Sequence, residues 1–285
     1  MLVGMPVFDA ICHAFAAMSL GGFSTHDASI GYYDSPAIET VLIVFMVVAA
    51  LNFATHFLAI RHRSIRPYLA DPEARWVVAL LLGSCLLIAL FVWAHGVYPS
   101  FLTSLRHVAF NLVSLATDCG FASVDYGQWP VFAPFWMLFL SCVTVSSGST
   151  GGGLKMFRNL ILLQQVKREM KQLIHPTAVI PLRIGDRIIS TSVGHAVFGY
   201  VFIYCCTITV LCLALLQSGL DFESALSAII ACINNAGPGL NEVGPASNYA
   251  GLTDFQKWVC ATAMLAGRIE ILTLLVVLTP TYWRK

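Results

Sequence analysis

Three short stretches of the chain place small residues and glycines where main-chain oxygens, rather than side chains, would carry the chemistry. They are Ser19-Leu20-Gly21-Gly22-Phe23-Ser24-Thr25, Thr117-Asp118-Cys119-Gly120-Phe121-Ala122-Ser123 and Asn234-Asn235-Ala236-Gly237-Pro238-Gly239-Leu240. Aligned on Gly22, Gly120 and Gly237, each has a small polar residue three positions before the glycine. Each also follows a half-length apolar segment: Phe8 to Met18, Leu105 to Ala116 and Phe222 to Ile233. At ~1.5 Å per residue such a helix reaches about halfway through a bilayer, and its C-terminal, negative dipole end then faces whatever lies at mid-depth. Glycine lets successive carbonyls turn the same way, and a ring of carbonyls can replace the hydration shell of a monovalent cation. The expected ligands are the backbone oxygens of Leu20, Gly21, Gly22, Asp118, Cys119, Gly120, Asn235, Ala236 and Gly237. Ordinary re-entrant helices with glycine C-caps produce the same local pattern; three turns in register, each feeding a span, favour an ion filter.

A second glycine-rich stretch, Ser146-Ser147-Gly148-Ser149-Thr150-Gly151-Gly152-Gly153, lies between the apolar segments Val131 to Val145 and Leu154 to Leu173. A phosphate loop needs Gly-Lys-Ser/Thr at its end, whereas Gly153 is followed by Leu154 and then Lys155. The stretch reads instead as a break in one crossing helix. Unpaired backbone at membrane depth is tolerable only inside protein or against a water-filled cavity, so the break is a functional candidate, with a passive kink as its alternative. Arg268, inside the apolar run Lys257 to Thr279, is a second one: a charge at mid-span normally faces a cavity or a partner.

The elements that position these residues are membrane helices. The 285 residues are 58% hydrophobic and 11% charged, with a mean hydropathy of +0.77, whereas soluble chains carry roughly 25% charged residues. With a net charge of +1 and no low-complexity run, disorder, collagen-like repeats and nucleic-acid binding are excluded. The nine cysteines form no CxxC pair or zinc spacing and read as small core hydrophobes. No nucleophile and base pair or metal-ligand cluster supports an enzyme. Spans of about 20 residues fall at Ala37 to Ile60, Trp76 to His95, Val193 to Gln217 and Lys257 to Thr279, beside the broken one. Trp76, Trp93, Trp129, Trp258 and Trp283 lie near span ends and fit an aromatic belt. Residues 1–22 lack the basic segment of a signal peptide.

Basic residues concentrate on one set of connections: Arg61, Arg63, Arg66 and Arg75; Arg158, Lys167, Arg168, Lys171, Arg183 and Arg187; Arg284 and Lys285. The positive-inside rule makes that set, with the C-terminus, cytoplasmic. The opposite connections hold Arg106 and Lys257 among eight acidic residues, including Asp118, a face that attracts cations.

On these motifs, together with Gly267-Arg268-Ile269-Glu270, the chain resembles the Trk/Ktr/HKT superfamily of potassium transporters, and within it the membrane subunits of bacterial Trk uptake systems (TrkH/TrkG type). The resemblance implies an all-α polytopic fold built from units of outer helix, pore helix, filter loop and inner helix around a pseudo-fourfold pore. It implies repeats at 1–66 (lacking its outer helix), 67–185 (with the broken inner helix) and 186–285, potassium as the transported ion without a further cofactor, and a location in the bacterial inner membrane. It assigns the glycine stretch to an intramembrane gate below the filter, made of Ser147, Gly148, Ser149, Thr150, Gly151, Gly152, Gly153, Lys155 and Arg268. The implied partners are a cytoplasmic nucleotide-binding regulatory ring (TrkA-like), a second copy in a homodimer, and lipid. Three filter loops stand where the pattern has four, so the chain is expected to be the C-terminal part of a longer pore.

Individual side chains leave alternatives. Asp118 either concentrates cations at the axis or holds its own loop by accepting backbone N–H groups. Lys155 is a cationic barrier or snorkels to the cytoplasm. Arg268 faces the pore and anchors the glycine loop, or bonds carbonyl ends; Glu270, two positions on, lies on another helix face. Beside a passive or coupled potassium transporter stand two other readings: a non-conducting remnant that associates with homologues or regulatory subunits, and an unrelated transporter with broken helices at the midplane.

Overall fold

The structure, a computed structural model, describes residues 3–185 and 187–284; Lys285, counted above among the basic residues, lies outside the described residues. Capping chemistry sets most helix limits. Helix α1 (Val7–Ser19) is followed by α2 (Pro36–Ala50), α3 (Phe53–His62) and the short α4 (Arg66–Ala70). Helix α5 (Pro72–Ala94) starts where Asp71 accepts the Glu73 N–H at 2.9 Å, with proline in the first turn, whose missing N–H is no loss there. Helix α6 (Phe101–Ala116) begins at Phe101 rather than the expected Leu105, because the Ser100 hydroxyl caps it by accepting from Thr103 N at 3.1 Å. Then come α7 (Phe132–Val143) and α8 (Met156–Ile174). A small antiparallel hairpin, β1 (Leu182–Ile184) and β2 (Arg187–Ile189), sets Leu182 opposite Ile189 and adds one strand pair to the helical architecture. Helix α9 (Thr191–Gln217) leads to α10 (Phe222–Asn234), capped by Asp221, and α11 (Asp254–Arg268) opens with a Thr253/Gln256 capping box. Helices α12 (Ile271–Leu278) and α13 (Pro280–Trp283) close the described chain.

Two of the expected spans are not straight. Helices α5 and α9 are each long and apolar enough to cross a membrane alone, whereas α2 with α3 bends by 101° and α11 with α12 by 105°. The runs Ala37 to Ile60 and Lys257 to Thr279 are therefore interrupted, like the one containing the glycine stretch, and all three inner helices are broken. The backbone groups freed at the first break find partners on the glycine loop: Ser146 N donates to Ala50 O at 3.0 Å and Phe53 N to Gly148 O at 3.2 Å. Asn52 restarts the helix by accepting the Ala54 N–H at 2.8 Å. At the second break Glu270 adopts a left-handed φ of 64°, and its carboxylate accepts from Arg158 at 2.6 Å.

Burial separates the half-length helices from the long ones. In α6 every residue from Phe110 to Ala116 is buried, as is Ala231 to Asn234 at the end of α10, the signature of helices enclosed on all sides. Helices α5 and α9 turn Leu82, Leu86 and Leu90, and Phe202, Val210 and Leu213, outward, the faces a bilayer would cover. Trp129 departs from the expected aromatic belt: it is buried and donates to the Tyr98 hydroxyl at 3.3 Å. Arg106, on α6, forks onto the buried Glu39 of α2 at 3.0 and 2.7 Å and reaches Asp34 at 2.7 Å, a charge-assisted tie between two units.

Asn52→Ala is expected to cost about 1 kcal/mol through the lost cap, read as a lowered midpoint of thermal unfolding in detergent.

Candidate functional site

Helices α1, α6 and α10 end in the same backbone geometry. One residue past α1 and α10, and two past α6, the backbone turns left-handed, Leu20 at φ 52°, Asn235 at 59° and Asp118 at 62°. The next N–H returns to the carbonyl five residues back, each at 2.9 Å: Gly21 to Ala16, Cys119 to Ser114 and Ala236 to Ala231. These are Schellman-type closures. The left-handed cap is thus a non-glycine residue, and the aligned glycines Gly22, Gly120 and Gly237 stand two positions beyond it, again with positive φ.

Those glycines are needed for close approach. A Cβ on Gly22 would collide with the carbonyl oxygen of Cys119, and one on Gly120 with that of Ala236. A Cβ on the exposed Gly237 would meet nothing within 4 Å, although the Tyr249 hydroxyl donates to its carbonyl at 2.9 Å. The nine filter residues named from sequence therefore form three loops in an arc, each touching the next, with Gly237 on an open side.

Beyond each glycine the chain is clipped back to its own pore helix. His13 Nε2 meets Ser24 Oγ at 2.9 Å; Asn111 accepts the Ser123 N–H at 3.0 Å and donates to its hydroxyl at 2.9 Å; Ser227 accepts the Leu240 N–H at 2.9 Å. Sequence reasoning missed this set. The signal was there in the repeat alignment, as a polar residue nine or ten positions before each glycine. At the outer end of α1, Asp9 accepts from Thr25 and Tyr33, each at 2.8 Å, and meets His26 at 3.3 Å. These bonds, Tyr33's first and Thr25's next, hold the Asp9 carboxyl below the ordinary carboxylate value. Tyr33 is pushed up to about 12, chiefly by burial and then by its bond to Asp9.

Residues 146–155 lie directly beneath the arc and touch all three helix ends. Thr150 Oγ1 donates to Met18 O at 3.2 Å; a Cβ on Gly151 would lie 3.1 Å from Thr117 O, and one on Gly152 would strike Asn234 O. Asn234 itself donates to Ser141 at 2.9 Å and accepts from Tyr204 at 2.6 Å. Of the expected gate residues, Ser147 donates its N–H to Glu73, Gly148 offers its carbonyl to Phe53, and Ser149 bonds Ser146 O at 2.6 Å. Gly153 packs against Ser141 O, 2.7 Å from where its Cβ would stand. Lys155 takes a left-handed φ of 65° at the start of α8.

Arg268 is the last residue of α11, at the bend in the run Lys257 to Thr279, and donates to Thr150 O at 3.1 Å. Asp118 accepts from Gly152 N at 3.0 Å, a residue of the glycine loop and not of its own turn. Lys155, Arg268, Glu270 and Tyr200 line a polar cavity of about 290 Å³ below the loop, with the Arg158 guanidinium 3.9 Å over the Tyr200 ring. Among the described residues no three His, Cys, Asp or Glu side chains gather as metal ligands; the oxygens concentrated at the arc belong to the main chain.

A family model described as TrkH, cation transport protein, matches residues 2–285. The chain is 42% identical over 282 residues to the Trk system potassium uptake protein TrkH of Salmonella typhimurium, covering 99% of this chain and 58% of that one. It is 36% identical over 284 residues to the Trk system potassium uptake protein TrkG of Escherichia coli K12, covering 100% and 58%. The crystal structure of the potassium transporter TrkH from Vibrio parahaemolyticus matches with a TM-score of 0.94 at 41% identity, over 99% of this chain and 60% of that one. The chain thus spans 58% of the length of these curated relatives.

Gly120→Ala is expected to lower the thermal midpoint well beyond Gly237→Ala, since the first adds a collision with Ala236 to the ~1–2 kcal/mol cost of a left-handed L-residue. Because Asp9 is depressed below 3.8, its stabilising contribution is complete above that pH and is lost as pH falls through the folded value. Wild type and Asp9→Asn should therefore differ in thermal midpoint at pH 6, and the difference should shrink as the pH falls below 3.8.

Proposed function

The chain belongs to the TrkH family of cation transport proteins, and on that premise we propose that it builds a potassium uptake path, with the carbonyls of the three glycine turns as filter and residues 146–155 as gate. The observation that carries this reading is the repeated cap geometry: three helix C-termini deliver the same left-handed turn to one place, and one glycine loop covers them from beneath. A potassium ion entering from the acidic side exchanges water for carbonyl oxygens at Leu20–Gly22, Asp118–Gly120 and Asn235–Gly237, while the three helix dipoles add negative potential. The loop across the inner end of that arc stops it. Without side chains, Gly151–Gly153 can change conformation at low cost, and Arg268 sets the loop's position through Thr150. The repeats divide at 1–66, 67–185 and 186–285, the basic side is cytoplasmic in a bacterial inner membrane, and the C-terminus lies on that side.

Both relatives cited above are named as parts of a Trk system, which supports work alongside other components; we propose a cytoplasmic nucleotide-binding regulatory partner of the TrkA kind and a homodimer. The open side at Gly237 favours a second reading for the chain by itself, in which it associates with other pore subunits without conducting, because a ring needs a further wall there.

Expression of the chain in bacteria lacking potassium uptake separates the two. Restored growth at low potassium supports conduction; failure, with rescue by a longer in-frame protein carrying a further repeat, supports the second reading. In the conducting form, Gly120→Ser is expected to abolish the preference for potassium and rubidium over sodium, and unchanged selectivity rejects the filter assignment. Arg268→Ala should raise basal rubidium flux several-fold, because a charge-assisted bond to the loop is lost.

A further inference from the structure

Two buried carboxylates grip the glycine loop at opposite ends. Glu73 Oε2, in the first turn of α5, accepts the Ser147 N–H at 2.7 Å. Asp118 Oδ2, in the middle filter turn, accepts the Gly152 N–H at 3.0 Å. Their residues are 8% and 1% exposed, and among the described residues neither has a basic group within ion-pair distance. A buried carboxyl group is costly unless hydrogen bonds compensate it, and each of these two accepts a backbone N–H of the loop.

The placement argues against a purely local role. At the register position of Asp118 the other two turns carry Leu20 and Asn235 and close with the same backbone bond, so the turn itself does not require a carboxylate. Asp118 Oδ1 is buried without a partner. The one bond its carboxylate makes leaves its own turn and ends on the loop below.

Resting on the reading of residues 146–155 as the gate, we propose that Glu73 and Asp118 are positioning residues that latch the loop across the pore-helix ends, and that opening requires release of their two N–H bonds. The Ser147 end has further backbone ties to Ala50 and Phe53. The Gly152 end sits against Asn234 O in a space without room for a Cβ, so release by Asp118 lets Gly152 withdraw from the filter.

Amide hydrogen exchange, read by mass spectrometry on the whole protein carrying this chain in lipid nanodiscs, tests the latch together with rubidium flux. Asp118→Ala and Glu73→Ala are expected to speed exchange of the 146–155 peptide by about tenfold, with α6 and α10 peptides unchanged. Asp118→Asn and Glu73→Gln keep an accepting oxygen and should remain within about twofold of wild type. The proposal is overturned if the loop peptide stays at the wild-type rate in both alanine variants, or if the amide variants loosen it as much as alanine does. Should Asp118→Ala not fold, the Glu73 pair and Asp118→Asn decide on the same criteria. Faster loop exchange with unchanged rubidium flux upholds the latch and rejects the gate reading instead.

Discussion

The space of a single methyl group governs how the repeated units meet. Carbonyl oxygens of one turn lie where the side chain of the next turn's glycine would be, at Gly22 against Cys119 and at Gly120 against Ala236. The same closeness recurs one layer below, where Gly152 meets Asn234 O and Gly267 meets Ile233 O. Three helix ends can then converge, which leaves α6 and α10 enclosed and turns the apolar faces of α5 and α9 outward. Convergence of oxygens without intervening side chains concentrates negative potential, and only main-chain or cationic partners relieve it. The rest of the architecture supplies the crowd of helices that holds such ends together.

The apolar environment forces each broken helix to have a named compensation. Where α2 stops, its last carbonyl accepts from Ser146, and the new helix begins with its N–H on Gly148 O. Where α11 stops, Arg268 turns to Thr150 O and Glu270 to Arg158. The loop between α7 and α8 thus supplies backbone partners at the α2/α3 break and receives the Arg268 side chain from the α11/α12 break, so the irregular backbone at this depth is enclosed in protein. Its own amides fall to buried carboxylates at Ser147 and Gly152.

Much of this was legible in the residues, for definite reasons. Small residues around Gly22, Gly120 and Gly237 repeat after apolar half-helices, and a run such as Gly151-Gly152-Gly153 cannot continue a membrane helix unnoticed. The bends at Asn52 and Glu270 are not foreseen: Asn52 is a single polar residue in a long apolar run, and Gly267-Arg268-Ile269-Glu270 reads for its charge and not as an interruption of the helix. Asn52 is a favoured cap residue and its bond to Ala54 is local, but the partners of Ala50 O and Phe53 N come from residues about a hundred positions later. Asp118 was visible as an odd carboxylate in a filter turn, but its partner, Gly152, is a matter of tertiary placement. The caps themselves are not read from sequence: Leu20, Asp118 and Asn235 take the left-handed turn and leave glycine free for packing.

Interruption of all three inner helices at one level has a mechanical meaning. A continuous helix is a stiff rod that carries a push along its axis, and none of the three joins the two sides of the molecule in this way. Torque or displacement applied to α3, α8 or α12 reaches the upper halves only by shearing the short joints at Leu51–Asn52, residues 144–155 and Ile269–Glu270. The lower halves can therefore swing as levers while the turns above keep their spacing. Bending between the two sets of halves is thereby directed to these joints and away from the convergent carbonyls above them.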